Sequence, residues 1–313
     1  MKKQIRRGRR ATGATAGGSA LLLVILAAAA LVNGWFSGPE GNKTGGTIAA
    51  EAPLSGDVMM VEYLDVGQAD ASLVRLPGGE TFLIDAGGNA TAKELSARLK
   101  EEGVTKIDIL VGTHPHEDHI GGLDQILEDF EIGALYMPRV DDSQVPTTKT
   151  YEDVLTAAAA KGLKIKTGTA GLTLFEDDGV KLTTLAPNSE KYSGLNSYSI
   201  VVRLEYGERS FLFMGDAEDD SEEEILEHSF TVQADVLKCG HHGSSTSSSR
   251  AFVQAVGPSY AVISCGKDNS YGHPHRETLT LLDELGVKVY RTDEDGTITV
   301  RCDGRSLEFA TAA

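Results

Sequence analysis

The chain has 313 residues, 41% hydrophobic and 24% charged, which supplies enough apolar material for a substantial core. Its 29 Lys and Arg against 46 Asp and Glu give a net charge of −17, and residues 57–313 alone hold 22 bases against 44 acids. Such a surface repels polyanions at long range and excludes a general nucleic-acid coat protein, while leaving room for a local cationic site made by bound metals.

The first ten residues carry six bases and no acid, and residues 20–36 are almost wholly apolar. That apolar stretch is near the lower limit for crossing a bilayer, about 17 residues. The basic flank predicts a cytoplasmic N-terminus with the rest of the chain outside the membrane. A cleaved signal peptide, leaving a secreted protein, is the other reading, since small residues occupy positions 27–30. Residues 37–56, rich in Gly, read as a flexible linker. The body, residues 57–313, shows no internal break and reads as one domain.

Apolar runs predict strands over 58–64, 71–76 and 81–84, with Gly78-Gly79 as a hairpin turn. A helix is expected over 92–102, ending at Gly103, followed by a strand over 107–111. Helices are expected over 121–129 and 151–160. In the second half, strands are expected over 182–185, 199–205, 210–214, 234–237, 260–264, 287–290 and 297–301. Helices follow Asp216 and Ser249 and span 276–285. Strands mixed with helices on this scale suggest an α+β fold of two sheets with helices outside, a four-layer αββα sandwich. Cys239, Cys265 and Cys302 have unpatterned spacing, so they imply no disulfide framework and read as small buried hydrophobes.

The most informative stretch is Thr113-His114-Pro115-His116-Glu117-Asp118-His119, directly after an apolar strand. Imidazole and carboxylate are ligands for zinc and similar ions. Two His separated by one residue project to the same side of an extended segment, so His114 and His116 can reach one ion. Asp118 and His119 can face a second. Asp216 follows the apolar run Phe211-Leu212-Phe213-Met214 and has two oxygens with which to bridge two cations; capping the next helix is its other role. Glu218 and the acids after it read as a solvated helix face.

His241-His242 ends another apolar strand. Adjacent imidazoles point apart on extended backbone, so one of the pair is expected at the metals and the other, His242 in this reading, as a proton donor. Ser244 belongs to a serine-rich run that binds an anion or caps the next helix. His273, in Gly272-His273-Pro274, is aimed by a fixed turn. His275 and His228 read as surface residues. Ions held by such a set lower the pKa of a bound water to about 7 and neutralise charge on a phosphoryl or acyl group. Asp118 would then orient the attacking oxygen.

His114-x-His116-x-Asp118-His119 resembles the signature of the metallo-β-lactamase superfamily. The body resembles more closely the hydrolase domain of ComEC-type DNA-uptake proteins. The matching stretches are Leu64-Asp65-Val66-Gly67-Gln68-Ala69-Asp70-Ala71, Leu83-Ile84-Asp85-Ala86-Gly87-Gly88, Asn196-Ser197-Tyr198-Ser199, Met214-Gly215-Asp216-Ala217-Glu218, residues 237–244 and Tyr271-Gly272-His273-Pro274. The resemblance implies an αββα fold and a phosphodiesterase or nuclease acting on DNA with one or two divalent ions, zinc or manganese. By position it implies His114 and His116 on one ion, Asp118 and His119 on another, and Asp216 between them. It further implies His241, His242 and His273 as ligands or proton donor. The usual third His of the first ion is absent, and Asn196, Ser197 or Ser199 stands in its place; Asn196, Ser197 and Ser244 are also expected to contact the substrate. Hydrolysis of another ester or a lactam, or a silent binding domain, are the rival readings.

Overall fold

The computed structural model describes residues 56–312. The basic tail, the apolar segment and all but the last residue of the linker fall outside the described residues, so the expected membrane or signal helix does too. Among the described residues no helix is long and apolar enough to cross a membrane.

In chain order the strands are β1 Met59–Tyr63, β2 Ser72–Arg75, β3 Thr81–Ile84, β4 Lys106–Val111, β5 Glu131–Pro138, β6 Ile165–Gly168, β7 Thr173–Asp177 and β8 Val180–Thr184. They continue as β9 Val202–Tyr206, β10 Arg209–Phe213, β11 Val236–Lys238, β12 Tyr260–Ile263, β13 Lys288–Arg291, β14 Ile298–Cys302 and β15 Leu307–Thr311. One sheet runs β15-β14-β1-β2-β3-β4-β5-β6 and the other β13-β12-β11-β10-β9-β8-β7. The helices are α1 Ala92–Glu101, α2 Glu117–Ile120, α3 Leu123–Asp129, α4 Lys149–Ala160, α5 Asp219–Glu227, α6 Arg250–Val256, α7 Arg276–Glu284 and the single turn α8 Thr292–Asp295.

Period-two alternation sends neighbouring side chains to different layers. Val74, Phe82, Ile109 and Val111 join Phe211, Phe213, Val236 and Val262 in the core between the sheets. Leu73, Leu83 and Leu110 face the other way and pack with Leu95, Leu99, Leu127 and Val154 from α1, α3 and α4. On the far side Leu212, Leu237 and Ala261 pack with Ile225, Phe252 and Leu282 from α5, α6 and α7. The tight stacking of Tyr63 on Phe213, centroids 5.7 Å apart, ties the two sheets together. The four layers agree with the expected sandwich. The three cysteines are free and buried.

Four strands were not marked by the sequence. The edge strands β6, β7 and β15 are short and largely exposed, so they lack the apolar alternation that identifies a strand. β5 begins Glu131-Ile132-Gly133 and turns apolar only near its end.

β3 through β6 run parallel, as do β10 through β13. Their carboxyl ends therefore open toward the same edges of the two sheets, where loops can converge on one cleft.

Candidate metal centre

β3 leads into Asp85, β4 into the His114 loop, β10 into Gly215-Asp216 and β11 into Cys239 to His242. Close backbone approach holds the first of these loops in place. A Cβ on Gly122 would lie 2.2 Å from the Ala86 carbonyl oxygen, so only glycine lets α2 and α3 meet the turn after β3. Gly215 has φ +54° and faces the Thr113 side chain, which brings Asp216 beside the histidine loop.

Asp216 is buried, and its two oxygens face different groups. Oδ1 lies 3.1 Å from His119 Nε2 and 3.7 Å from His242 Nε2. Oδ2 lies 3.7 Å from His114 Nε2 and 3.8 Å from His241 Nε2. The cap of α5 is Glu218, not Asp216, so the carboxylate is free for the centre. His114 Nε2 and His116 Nδ1 converge at 3.0 Å. Asp118 Oδ2 is 3.2 Å from His242 Nε2.

Four of the imidazoles, those of His114, His119, His241 and His242, are held from behind, which fixes which nitrogen points inward. Asp85 accepts from His119 Nδ1 at 2.7 Å and from the Thr113 amide and hydroxyl at 2.7 and 2.8 Å. Ser264 carbonyl accepts from His242 Nδ1 at 3.0 Å. Ser199 and Thr113 hydroxyls lie 3.3 and 3.2 Å from His114 Nδ1. Glu218 stands 3.2 Å from His241 Nδ1 and also accepts from Asn196 and Thr246. Partners of this kind set the tautomer of metal-binding histidines. Glu218 is therefore no mere solvated face residue.

Two groups of atoms lie close enough to hold an ion: His114, His116 and Asp216 in one, and Asp70, His119, Asp216 and His242 in the other. His119 Nε2, Asp216 Oδ1 and Asp70 Oδ1 are buried without hydrogen-bond partners, although the first two approach within 3.1 Å. Buried polar atoms that converge without bonding one another are a donor set suited to a cation. Imidazole with carboxylate fits zinc or manganese. The residues therefore fit the expected divalent metal.

The charges agree. Burial raises the Asp216 carboxyl, but His119 and His242 outweigh it and hold it well below the carboxylate range. Burial opposes charge on His242, yet Asp216, Asp70 and the bond to Asp118 push it up to about 10. His119 is likewise raised well above its ordinary value by Asp216 and Asp85 against burial. The site thus draws positive charge, and protons fill that role when metal is withheld. His114 goes the other way: burial, then the neighbouring His119, lower it well below its ordinary value.

Three sequence expectations change. His241 and His242 both turn toward Asp216, because neither is extended: φ/ψ are 47°/48° and 52°/28°. Two successive left-handed non-glycine residues cost about 1 kcal/mol or more each, and their rings end up on the same centre. His242, expected as the proton donor, belongs to one of the two groups, whereas His273, expected as a ligand, belongs to neither. Gln68 orients the His273 ring. Its Oε1 accepts from the Gly266 amide, so its Nε2 faces His273 Nδ1 at 3.4 Å and leaves the proton on Nε2. Burial and the nearby His242 lower His273 to about 4, so it is neutral at pH 7.

Of the expected substrate residues, Asn196 lines the cleft and its Oδ1 is buried without a partner. Ser197 instead donates to Asp220, and Ser244 pairs with Thr246. Ser249 caps α6, accepting from the Phe252 amide. His228 is exposed on the far end of α5, and the His275 ring accepts from the Ser245 amide. Asp70, Asp85 and Lys238 carry roles that single-residue reasoning missed. Lys238, buried at the end of β11, donates to Asp70 at 2.7 Å beneath the centre.

The profile of the metallo-beta-lactamase superfamily matches residues 64–267. The chain is 33% identical over 267 residues to ComE operon protein 3 of Bacillus subtilis (strain 168), covering 80% of this chain and 34% of that protein. It is 31% identical over 240 residues to Competence protein ComA of Neisseria gonorrhoeae, covering 76% and 31%. It thus spans about a third of the length of these relatives. Among solved structures, CmlA, a diiron beta-hydroxylase from Streptomyces venezuelae, superposes with TM-score 0.51 at 16% identity over 79% of this chain and 55% of that one, a likeness of fold.

Proposed function

The chain belongs to the metallo-beta-lactamase superfamily, a family of metal-dependent hydrolases, and from that premise we propose that it cleaves phosphodiesters, with DNA as the substrate. The observation that carries the reading is Asp216, whose two oxygens each face a separate set of histidines. Similarity to proteins named for competence favours DNA over other esters. Residues 1–36 support a site of action outside the membrane, with the chain tethered there or secreted.

When bound, one or two divalent ions supply hydroxide at neutral pH and neutralise charge on the phosphoryl oxygens. His114, His116 and Asp216 would hold one ion, with His241 in the place of the missing third histidine. His119, His242 and Asp216 would hold the other, with Asp70 as its further carboxylate and Asp118 beside His242 at the cleft. Asp118, partly exposed at the cleft, accepts a hydrogen bond from the attacking oxygen and orients it. His273 presents a neutral Nε2–H to a substrate oxygen, and Asn196 Oδ1 accepts from the substrate.

The test is turnover by the full chain, loaded with manganese or zinc, of single-stranded DNA, bis(p-nitrophenyl) phosphate and nitrocefin. Phosphodiester cleavage that disappears in Asp118→Ala supports the proposal. Nitrocefin hydrolysis without phosphodiester cleavage moves the assignment to lactams, and metal binding without any turnover moves it to a binding domain.

A further inference from the structure

The cleft above the centre measures about 610 Å³, within the range of a small-ligand site. Its walls include Pro115, Pro146, Leu195 and Tyr271 beside the histidines and Asp118. Among the described residues that line it, none is Lys or Arg. A protein that follows a nucleic-acid backbone needs such cations, because most of its affinity comes from neutralising phosphates. This cleft has no means of doing so beyond its metal centre.

One wall offers something else. Tyr271 is 67% exposed, among the few large apolar side chains left open to solvent in the described residues. Its ring stacks on His273 with centroids 5.6 Å apart and planes 20° apart, and His273 stacks on His242 at 6.1 Å and 25°. The three rings form a ladder from solvent to the buried centre. His273 has a ring stacked on each side, and Tyr271 is the outermost and most exposed rung. Aromatic faces of this kind take a nucleobase by stacking regardless of its identity.

We propose that the substrate is a short or terminal nucleotide segment, held by its phosphodiester at the centre and by one flanking base stacked on Tyr271. This rests on the phosphodiesterase reading. Recognition is then tolerant of sequence, needs a base near the scissile bond, and is nearly independent of salt.

The full-length protein would be tested with thymidine dinucleotide and with its abasic counterpart, the same phosphodiester lacking both bases. KM is measured by steady-state cleavage and Kd by titration calorimetry, in wild type, Tyr271→Ala and Tyr271→Trp. The proposal predicts that Tyr271→Ala raises KM and Kd for the dinucleotide by about tenfold, leaves kcat and the abasic compound unchanged, and is rescued by Tyr271→Trp. It also predicts a change in KM below about threefold between about 50 and 200 mM salt. Equal affinity for the two compounds, or a dinucleotide KM indifferent to Tyr271→Ala, overturns it. If neither compound is cleaved but the Kd difference follows Tyr271, the phosphodiesterase reading falls and the stacking site stands.

Discussion

Asp85 Oδ2 accepts a hydrogen bond from His119 Nδ1 at 2.7 Å, and this turns the opposite nitrogen of His119 to within 3.1 Å of Asp216 Oδ1. The same carboxylate also gathers the Thr113 amide and hydroxyl, so it fixes both the start of the histidine loop and the aim of its last ring. Asp85 has φ 61°, a conformation that Asn tolerates. Asp85→Asn should therefore keep the backbone but spoil the acceptor set. Metal affinity, read by competition with a chromophoric chelator, should fall about 10- to 100-fold with the fold retained. Unchanged affinity would remove Asp85 from the metal site.

Lys238 and Asp70 form a buried ion pair at 2.7 Å beneath His242. Burial raises the Asp70 carboxyl, but Lys238 and His242 outweigh it and hold it well below its usual range. Removing Lys238 takes away the first cation beside Asp70 and leaves it only the charged His242 and His119, so Lys238→Met should cost about 3 kcal/mol in denaturant unfolding of the chelator-treated protein. The double variant Lys238→Met, Asp70→Leu should recover a large part of that loss. A single variant as stable as wild type would contradict the pairing.

Metal and protons compete at this centre. His242, raised to about 10, carries a proton at neutral pH in the metal-free protein, and a ligand must be neutral. Zinc binding should release protons, seen calorimetrically as heats that differ among buffers of different ionisation enthalpy. Affinity should climb as pH rises toward about 10. The metal-free fold moves oppositely. Its contribution from charged His242 is complete below 6.5, the unfolded value, and is lost as pH rises through about 10. Buffer-independent heats would contradict the proton count.

The left-handed pair His241-His242 makes a separable prediction. His241 Nε2 stands 3.8 Å from Asp216 Oδ2, on the side of His114, while His242 stands by Oδ1. His241→Ala should weaken the ion held by His114 and His116 and spare the one held by His119 and His242. Two-step chelator titration would show one affinity falling and one constant. Equal loss at both steps would mean that the two clusters are not independent.

Much of this centre was legible because its parts are contiguous or follow apolar strands. His114, His116, Asp118 and His119 sit in one loop, and Asp216 and His241 each end a run of strand residues. The supporting residues were not legible singly, since Asp85 acts on a residue 34 positions away and Lys238 on one 168 positions away. Lys238 did carry a signal, a lone charge inside the apolar strand Val236-Leu237-Lys238. Ser197 and Ser244 turn to Asp220 and Thr246, a direction set by local backbone that residue type does not encode. The same limit applied to His241 and His242, whose shared direction arises from backbone angles that sequence spacing does not encode.

The central claim is that Asp216 joins two sets of histidines into one metal centre. Elemental analysis of the purified full chain, beside Asp216→Ala with its fold checked by circular dichroism, tests it most directly. One or two zinc or manganese ions per chain in the wild type, lost in Asp216→Ala, is the result expected. A folded wild type with no tightly bound transition ion, or a variant that keeps its full complement, would contradict it.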